Sequence, residues 1–159
     1  MLELLSPAGS MEALRAAVQN GANAVYLGVG NLNARQSAKN FTPQTLVDAV
    51  KYCHVRGVDV HLTLNTLVSD REMKEAAELI RHAAQYNIDA FIVQDLGVVQ
   101  LCRQIAPHIP IHGSTQMTIH SLPGVQLCAA MGMKRVVLSR ELSREEIRYI
   151  CANSPIEIE

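Results

Sequence analysis

The chain has no Trp, two Phe and four Tyr. So few aromatics argue against a platform on which successive bases stack. No apolar run approaches the roughly 18 residues that a membrane span requires. The opening stretch, Met1 to Ser10, lacks a positive segment leading to a small-residue cleavage site. It therefore does not read as a signal peptide, and the expected location is cytoplasmic, with no membrane contact. The four cysteines, Cys53, Cys102, Cys128 and Cys151, form no CxxC pair and fall in segments that read as helices. Thiols so placed in a reducing compartment read as packing residues. Fourteen Lys and Arg face fifteen Asp and Glu, for a net charge of −1. Without a basic run, any contact with nucleic acid must come from the local placement of a few cations. Neither a nucleophile elbow nor a P-loop is present. Gly28-Val29-Gly30 lacks the third glycine of a dinucleotide fingerprint and does not lead straight into a helix.

What is present is a repeat of structure rather than of residues. Six times an apolar run of strand length precedes a helical run: Leu2 to Ser6, Ala24 to Gly28, Val58 to Asn65, Ala90 to Gln94, Ile111 to Ser114 and Arg135 to Ser139. A seventh strand begins at Ile156. This alternation predicts α/β architecture with a parallel sheet covered by helices. A closed barrel of this kind takes eight units and about 250 residues. The 159 residues here predict an incomplete TIM-type (β/α) barrel of about seven parallel strands and six helices. They read as one domain, cut before the barrel closes. Helix starts are marked by Ser10, by Thr42-Pro43, and by two capping boxes, Ser69 to Glu72 and Ser143 to Glu146. Gly21, Gly57 and Gly132 stop helices.

Period-two alternation assigns the faces. Val58, Val60, Leu62 and Leu64 should meet the helices, and Asp59, His61, Thr63 and Asn65 the lumen. Glu157 and Glu159 likewise point inward as candidate lumen carboxylates. Buried carboxylates need water, a cation or an arginine partner.

Barrels of this type take their working groups from the carboxyl ends of strands and the loops beyond. Those positions hold Ser6, Asn33, Arg35, Asn65, Gln94, Asp95, Ser114, Thr115, Gln116, Arg140 and Glu141. The set predicts a polar site at one rim. Asp95 and Glu141 are its candidate catalytic carboxylates, and Arg35, Asn65, Gln94, Ser114, Gln116 and Arg140 its candidate substrate-binding residues. Asp95 serves equally as a helix cap, and Arg140-Glu141 equally as an ion pair. His61 reads either as catalytic or as a lumen histidine satisfied by a neighbour. His112 and His120 flank the loop after the fifth strand, yet no third ligand follows at zinc spacing, so no metal site is assigned. No histidine is placed by sequence beside Ser114, so no protease constellation is assembled.

Several segments carry a family resemblance: Glu3-Leu4-Leu5-Ser6-Pro7-Ala8-Gly9, Gly21 through Gly28, Asn33-Ala34-Arg35, Thr63-Leu64-Asn65-Thr66, Val93-Gln94-Asp95-Leu96-Gly97, Ser114-Thr115-Gln116-Met117 and Arg140-Glu141-Leu142-Ser143. In order and along the whole chain, they resemble the collagenase-like peptidase family U32. The resemblance implies one of two activities for a full-length parent: hydrolysis of peptide bonds, or hydroxylation of an RNA base supported by a 4Fe-4S cluster. It also implies that the cluster's cysteines lie beyond Glu159, since none of the four present falls on a family ligand position. The expected partners are RNA or peptide. A truncated barrel on its own would be inactive and would self-associate through its open sheet edges.

Overall fold

The computed structural model describes residues 3–34 and 40–159. Seven strands, β1 Leu5–Pro7, β2 Ala24–Gly28, β3 Asp59–Leu64, β4 Ala90–Val93, β5 Ile111–Gly113, β6 Arg135–Val136 and β7 Glu157–Ile158, pair in chain order. Every pairing is parallel. Six α-helices connect them: α1 Met11–Gln19, α2 Pro43–His54, α3 Met73–Gln85, α4 Leu96–Ile105, α5 Leu122–Ala130 and α6 Arg144–Asn153. The sheet is curled into an incomplete barrel with its helices outside, as the alternation predicts. No helix among the described residues is long and apolar enough to cross a membrane.

Local chemistry explains most boundaries. The hydroxyl of Ser10 accepts the Ala13 N–H at 3.2 Å and opens α1. Thr42 and Thr45 form a reciprocal capping box at α2, with Pro43 in the first turn. Ser143 and Glu146 do the same at α6. Gly57, at φ +67°, takes the left-handed turn that releases the chain from α2 into β3.

Three expectations need correction. Ser69 and Glu72 do not cap α3. The Glu72 carboxylate reaches back to the Ser69 N–H and hydroxyl, at 2.9 and 2.6 Å, but this closes a turn, and the α-helix begins only at Met73. Helix α5, expected from Pro123 to Met131, runs from Leu122 to Ala130, because the Ser121 hydroxyl caps it at the Gly124 N–H. β6 is two residues long rather than five: the Val137 N–H still bonds to Gly113 and the Leu138 N–H to Glu159, but the Ser139 N–H turns away to Ile119.

The core lies between sheet and helices. Val60, Leu62 and Leu64 of β3 are almost wholly buried, with Leu14, Leu46, Ile80, Val98 and Val125 of the surrounding helices in the same cluster. Burying side chains of this size stabilises by about 1.5–3 kcal/mol each. Cys53, Cys102 and Cys128 are buried in this layer, and burial pushes the Cys102 thiol up to about 12. Such thiols are inert packing groups.

Candidate functional site

The other face of the sheet forms the lumen, which is polar at both ends. Register places Tyr26 beside His61, Ile92 beside His112, and His112 beside Arg135, which in turn pairs with Glu157. These rows divide the lumen into an amino-terminal mouth and a carboxyl-terminal mouth.

At the amino-terminal mouth, Arg135 is the hub. Its guanidinium donates two parallel hydrogen bonds to Glu3, both 2.8 Å, and two to Glu157, at 2.9 and 2.7 Å. Glu159 lies 3.7 Å away. The Glu3 contact ties the segment before β1 to β6 across the lumen, and charge-assisted bidentate pairs of this kind are the strong ones. The bond to Arg135 holds the Glu3 carboxyl below the ordinary carboxylate range. Just inside, His61 and His112 meet edge to face with ring centroids 5.0 Å apart. Both are more than nine-tenths buried, and the Nδ1 atom of each lacks a hydrogen-bond partner. Burial, with the competing His61 ring and the Arg135 charge beside it, pushes His112 down to about 3, and burial lowers His61 as well. Both rings are therefore neutral near pH 7.

The carboxyl-terminal mouth opens into a cavity of about 480 Å³. Its lining includes Tyr26, Asn33, Asn40, Thr63, Asn65, Ser114, Thr115, Gln116, Arg140 and Glu159. The amides are held by one another and by backbone. Asn65 accepts the Ala34 N–H at 3.0 Å and donates to the Ser114 hydroxyl at 3.4 Å. That hydroxyl also accepts the Gln116 N–H at 3.2 Å. Neither partner is a base, so Ser114 is not activated as a nucleophile by the groups bonded to it. Thr63 donates to the Leu27 carbonyl at 3.0 Å. The wall at β2 depends on Gly28, where a Cβ atom would sit 2.5 Å from the buried Asn33 side chain.

The structure thus brings together Asn65, Ser114, Gln116, Arg140 and Glu159 of the residues singled out from sequence. Gln94 stands behind the lining, its amide donating to the Gln116 carbonyl at 3.2 Å. The two carboxylates read as catalytic candidates lie outside the lining. Asp95 caps α4, accepting the Gly97 and Val98 N–H groups at 2.7 and 3.1 Å. Glu141 is exposed and accepts a hydrogen bond from the Ser139 hydroxyl, which holds its carboxyl below the ordinary carboxylate range. Glu157 is at the opposite mouth, on Arg135. Arg35 lies outside the described residues.

Arg135, Glu3 and the contact between His61 and His112 escaped the sequence reading. Alternation of Arg135, Val137 and Ser139 was the available signal for the first, since it aims Arg135 into the lumen opposite Glu157. His112 was instead paired with His120, which sits outside on the loop and bonds the Thr118 carbonyl. Among the described residues no group of three or more His, Cys, Asp or Glu could hold a metal ion. The four cysteines sit on four different helices, three of them buried in the core. These residues do not fit an iron–sulfur cluster.

Comparison with known proteins gives this geometry a family. The peptidase family U32 model matches residues 9–159. An uncharacterized protease of Methanocaldococcus jannaschii is 38% identical over 96% of this chain and 37% of its own length. The tRNA hydroxylation protein P of Helicobacter pylori is 40% identical over 99% of this chain and 38% of its own length. The chain thus spans less than two fifths of the length of these relatives. Among solved structures, the U32 peptidase Mk0906 superposes with a TM-score of 0.79 at 15% identity, covering 99% of this chain and 67% of that one. At that identity the superposition speaks to fold alone. Matched along nearly its whole length by the family model, the chain belongs to peptidase family U32.

Proposed function

We propose that this chain is the substrate-binding barrel portion of a longer protein that hydroxylates an RNA base. One observation carries the reading: among the described residues the polar lining of the cavity is amides and hydroxyls, with one cation, Arg140, and one carboxylate, Glu159. Asn, Gln, Ser and Thr present the donors and acceptors that pair with the edge of an extruded base, and an arginine at the mouth suits the adjoining phosphate. The relatedness to a tRNA hydroxylation protein supports the same reading. A 4Fe-4S cluster, on this proposal, takes its cysteines from sequence beyond Glu159, since those present do not fit it.

The competing reading, peptide hydrolysis, needs an activated nucleophile or water. Ser114 bonds to an amide and a backbone N–H, and the exposed Glu141 bonds to a serine. Neither arrangement supplies one. The test is mass spectrometry of nucleosides from tRNA and rRNA of cells lacking the gene, with and without complementation. The proposal expects one hydroxylated base to vanish and to return with the wild-type gene but not with Arg140→Ala. Unchanged hydroxylated bases, together with gelatin hydrolysis that Glu141→Gln abolishes, would establish the peptidase instead.

A further inference from the structure

Alternation sorts the strand residues into two sets. Val25 and Leu27 of β2, Phe91 and Val93 of β4, and Val136 and Leu138 at β6 belong to the core cluster under the helices. The residues between them, Tyr26, Ile92 and Val137, face the lumen and line the cavity, together with Leu5 of β1. Ile92 is buried yet stands outside the core cluster. Register sets these side chains further in than the amides: Ile92 lies beside Thr63, two residues short of Asn65, and Tyr26 lies beside His61. A lumen holding Leu, Ile and Val is ordinary, since barrel interiors are packed with branched side chains. Tyr26 departs from that pattern. It is half-buried, whereas Val25 and Leu27 on either side of it are almost wholly buried. It is also the one aromatic ring among the described residues lining the cavity. The cavity therefore offers two kinds of surface, amides at its mouth and one flat ring with aliphatic neighbours further in. A nucleobase has the same two, a polar edge and a π-face.

We propose that Tyr26 is the residue on which the bound base stacks, with Ile92 and Val137 as the apolar surround. This role rests on the nucleobase reading above and adds the contact that holds the face of the base, where the amides hold its edge. A single ring accommodates a single base. That agrees with a chain too poor in aromatics to stack a run of bases along a strand, and it suits a base turned out of its strand into a pocket. Every base has a π-face, so Tyr26 supplies affinity and orientation, and the choice among bases is left to Asn65 and its polar neighbours.

The test is calorimetric titration of the full chain with a short single-stranded RNA of mixed sequence, and with the same ribose–phosphate backbone lacking its bases. Wild type should prefer the RNA by about fivefold or more, the lower end of what stacking on one aromatic ring contributes. Tyr26→Leu should lose most of that preference and leave binding of the bare backbone unchanged. Tyr26→Phe keeps the ring and should keep the preference within about twofold. On wild type alone, NMR spectra should show the protons of one bound base moved upfield, as protons over the face of a ring are; this readout holds even if Tyr26→Leu fails to fold. A preference that survives in Tyr26→Leu, or that is lost in Tyr26→Phe, would overturn the stacking role and leave the nucleobase reading standing. Bound RNA whose base protons show no upfield shift would do the same. Absence of RNA binding by wild type, or equal binding of RNA and bare backbone, would overturn the nucleobase reading and the role of Tyr26 together.

Discussion

The two mouths of the same lumen solve one problem in opposite ways. Both bring polar side chains inward by strand alternation. At the amino-terminal mouth, opposite charges meet, and Arg135 joins Glu3 to Glu157. At the carboxyl-terminal mouth, neutral amides are braced by neighbours and leave a cavity whose described lining holds one carboxylate, Glu159, and one arginine, Arg140, with no ion pair between them. Full ion pairing consumes the hydrogen-bonding capacity that a ligand would need. Neutral amides keep part of it, because each carries both donors and acceptors. The locked end therefore ties the first strand to the last ones, and the open end keeps the hydrogen-bonding capacity that the proposed function requires.

The strongest way to break this contrast is Arg135→Ala. It leaves Glu3, Glu157 and Glu159 facing one another without a cation. Removing one partner of a buried pair costs 3–5 kcal/mol, and partial exposure of the carboxylates reduces this to roughly 2–3 kcal/mol here. Urea denaturation would measure it, and a loss under about 0.5 kcal/mol would mean that the hub does not hold the sheet.

Acidification attacks the same end more gradually. His61 and His112 titrate lower in the folded chain than in the unfolded one, so the unfolded state binds protons first as pH falls below 6.5. Stability from these rings is complete above that pH and is lost progressively toward pH 3. Glu3 adds a second loss below about pH 4.5, because its folded value is depressed by Arg135. Melting temperature should therefore decline from pH 6.5 downward, and His112→Asn should flatten the upper part of that decline. A melting temperature flat from pH 7 to 5 would contradict the burial of neutral histidines.

At the open end, effects on stability should be smaller. Asp95→Ala removes the α4 cap and should cost about 1 kcal/mol, with Asp95→Asn nearly neutral. If Asp95→Asn instead abolished activity in the longer protein while sparing stability, the carboxylate would be chemical rather than a cap. Gly28→Ala should cost about 1 kcal/mol by displacing Asn33, and should perturb ligand binding more than it perturbs folding.

The architecture was legible because β3 alternates cleanly over eight residues and because glycines and caps punctuate each helix. Asn65, Ser114, Gln116 and Arg140 were legible because strand ends in a parallel barrel converge on one rim. Asp95 was ambiguous for a physical reason: an N-cap and a catalytic carboxylate occupy the same position at the end of a βα turn. The Glu3–Arg135 pair joins residues 132 positions apart. No local pattern encodes a cross-lumen contact of that range. The meeting of His61 and His112 depends on the registers of β3, β4 and β5, which the sequence alone does not set. Whether the open strand edges pair is a separate expectation: sedimentation should show dimers or larger species if they do, and a monomer if the curled sheet protects them.

The most direct measurement is a backbone NMR titration of the chain with a short single-stranded RNA. The account predicts shifts concentrated at Asn65, Ser114, Gln116, Arg140 and Glu159, with Glu3, His61, His112 and Glu157 unmoved. Shifts centred on the amino-terminal mouth, or none at all at the carboxyl-terminal one, would contradict it.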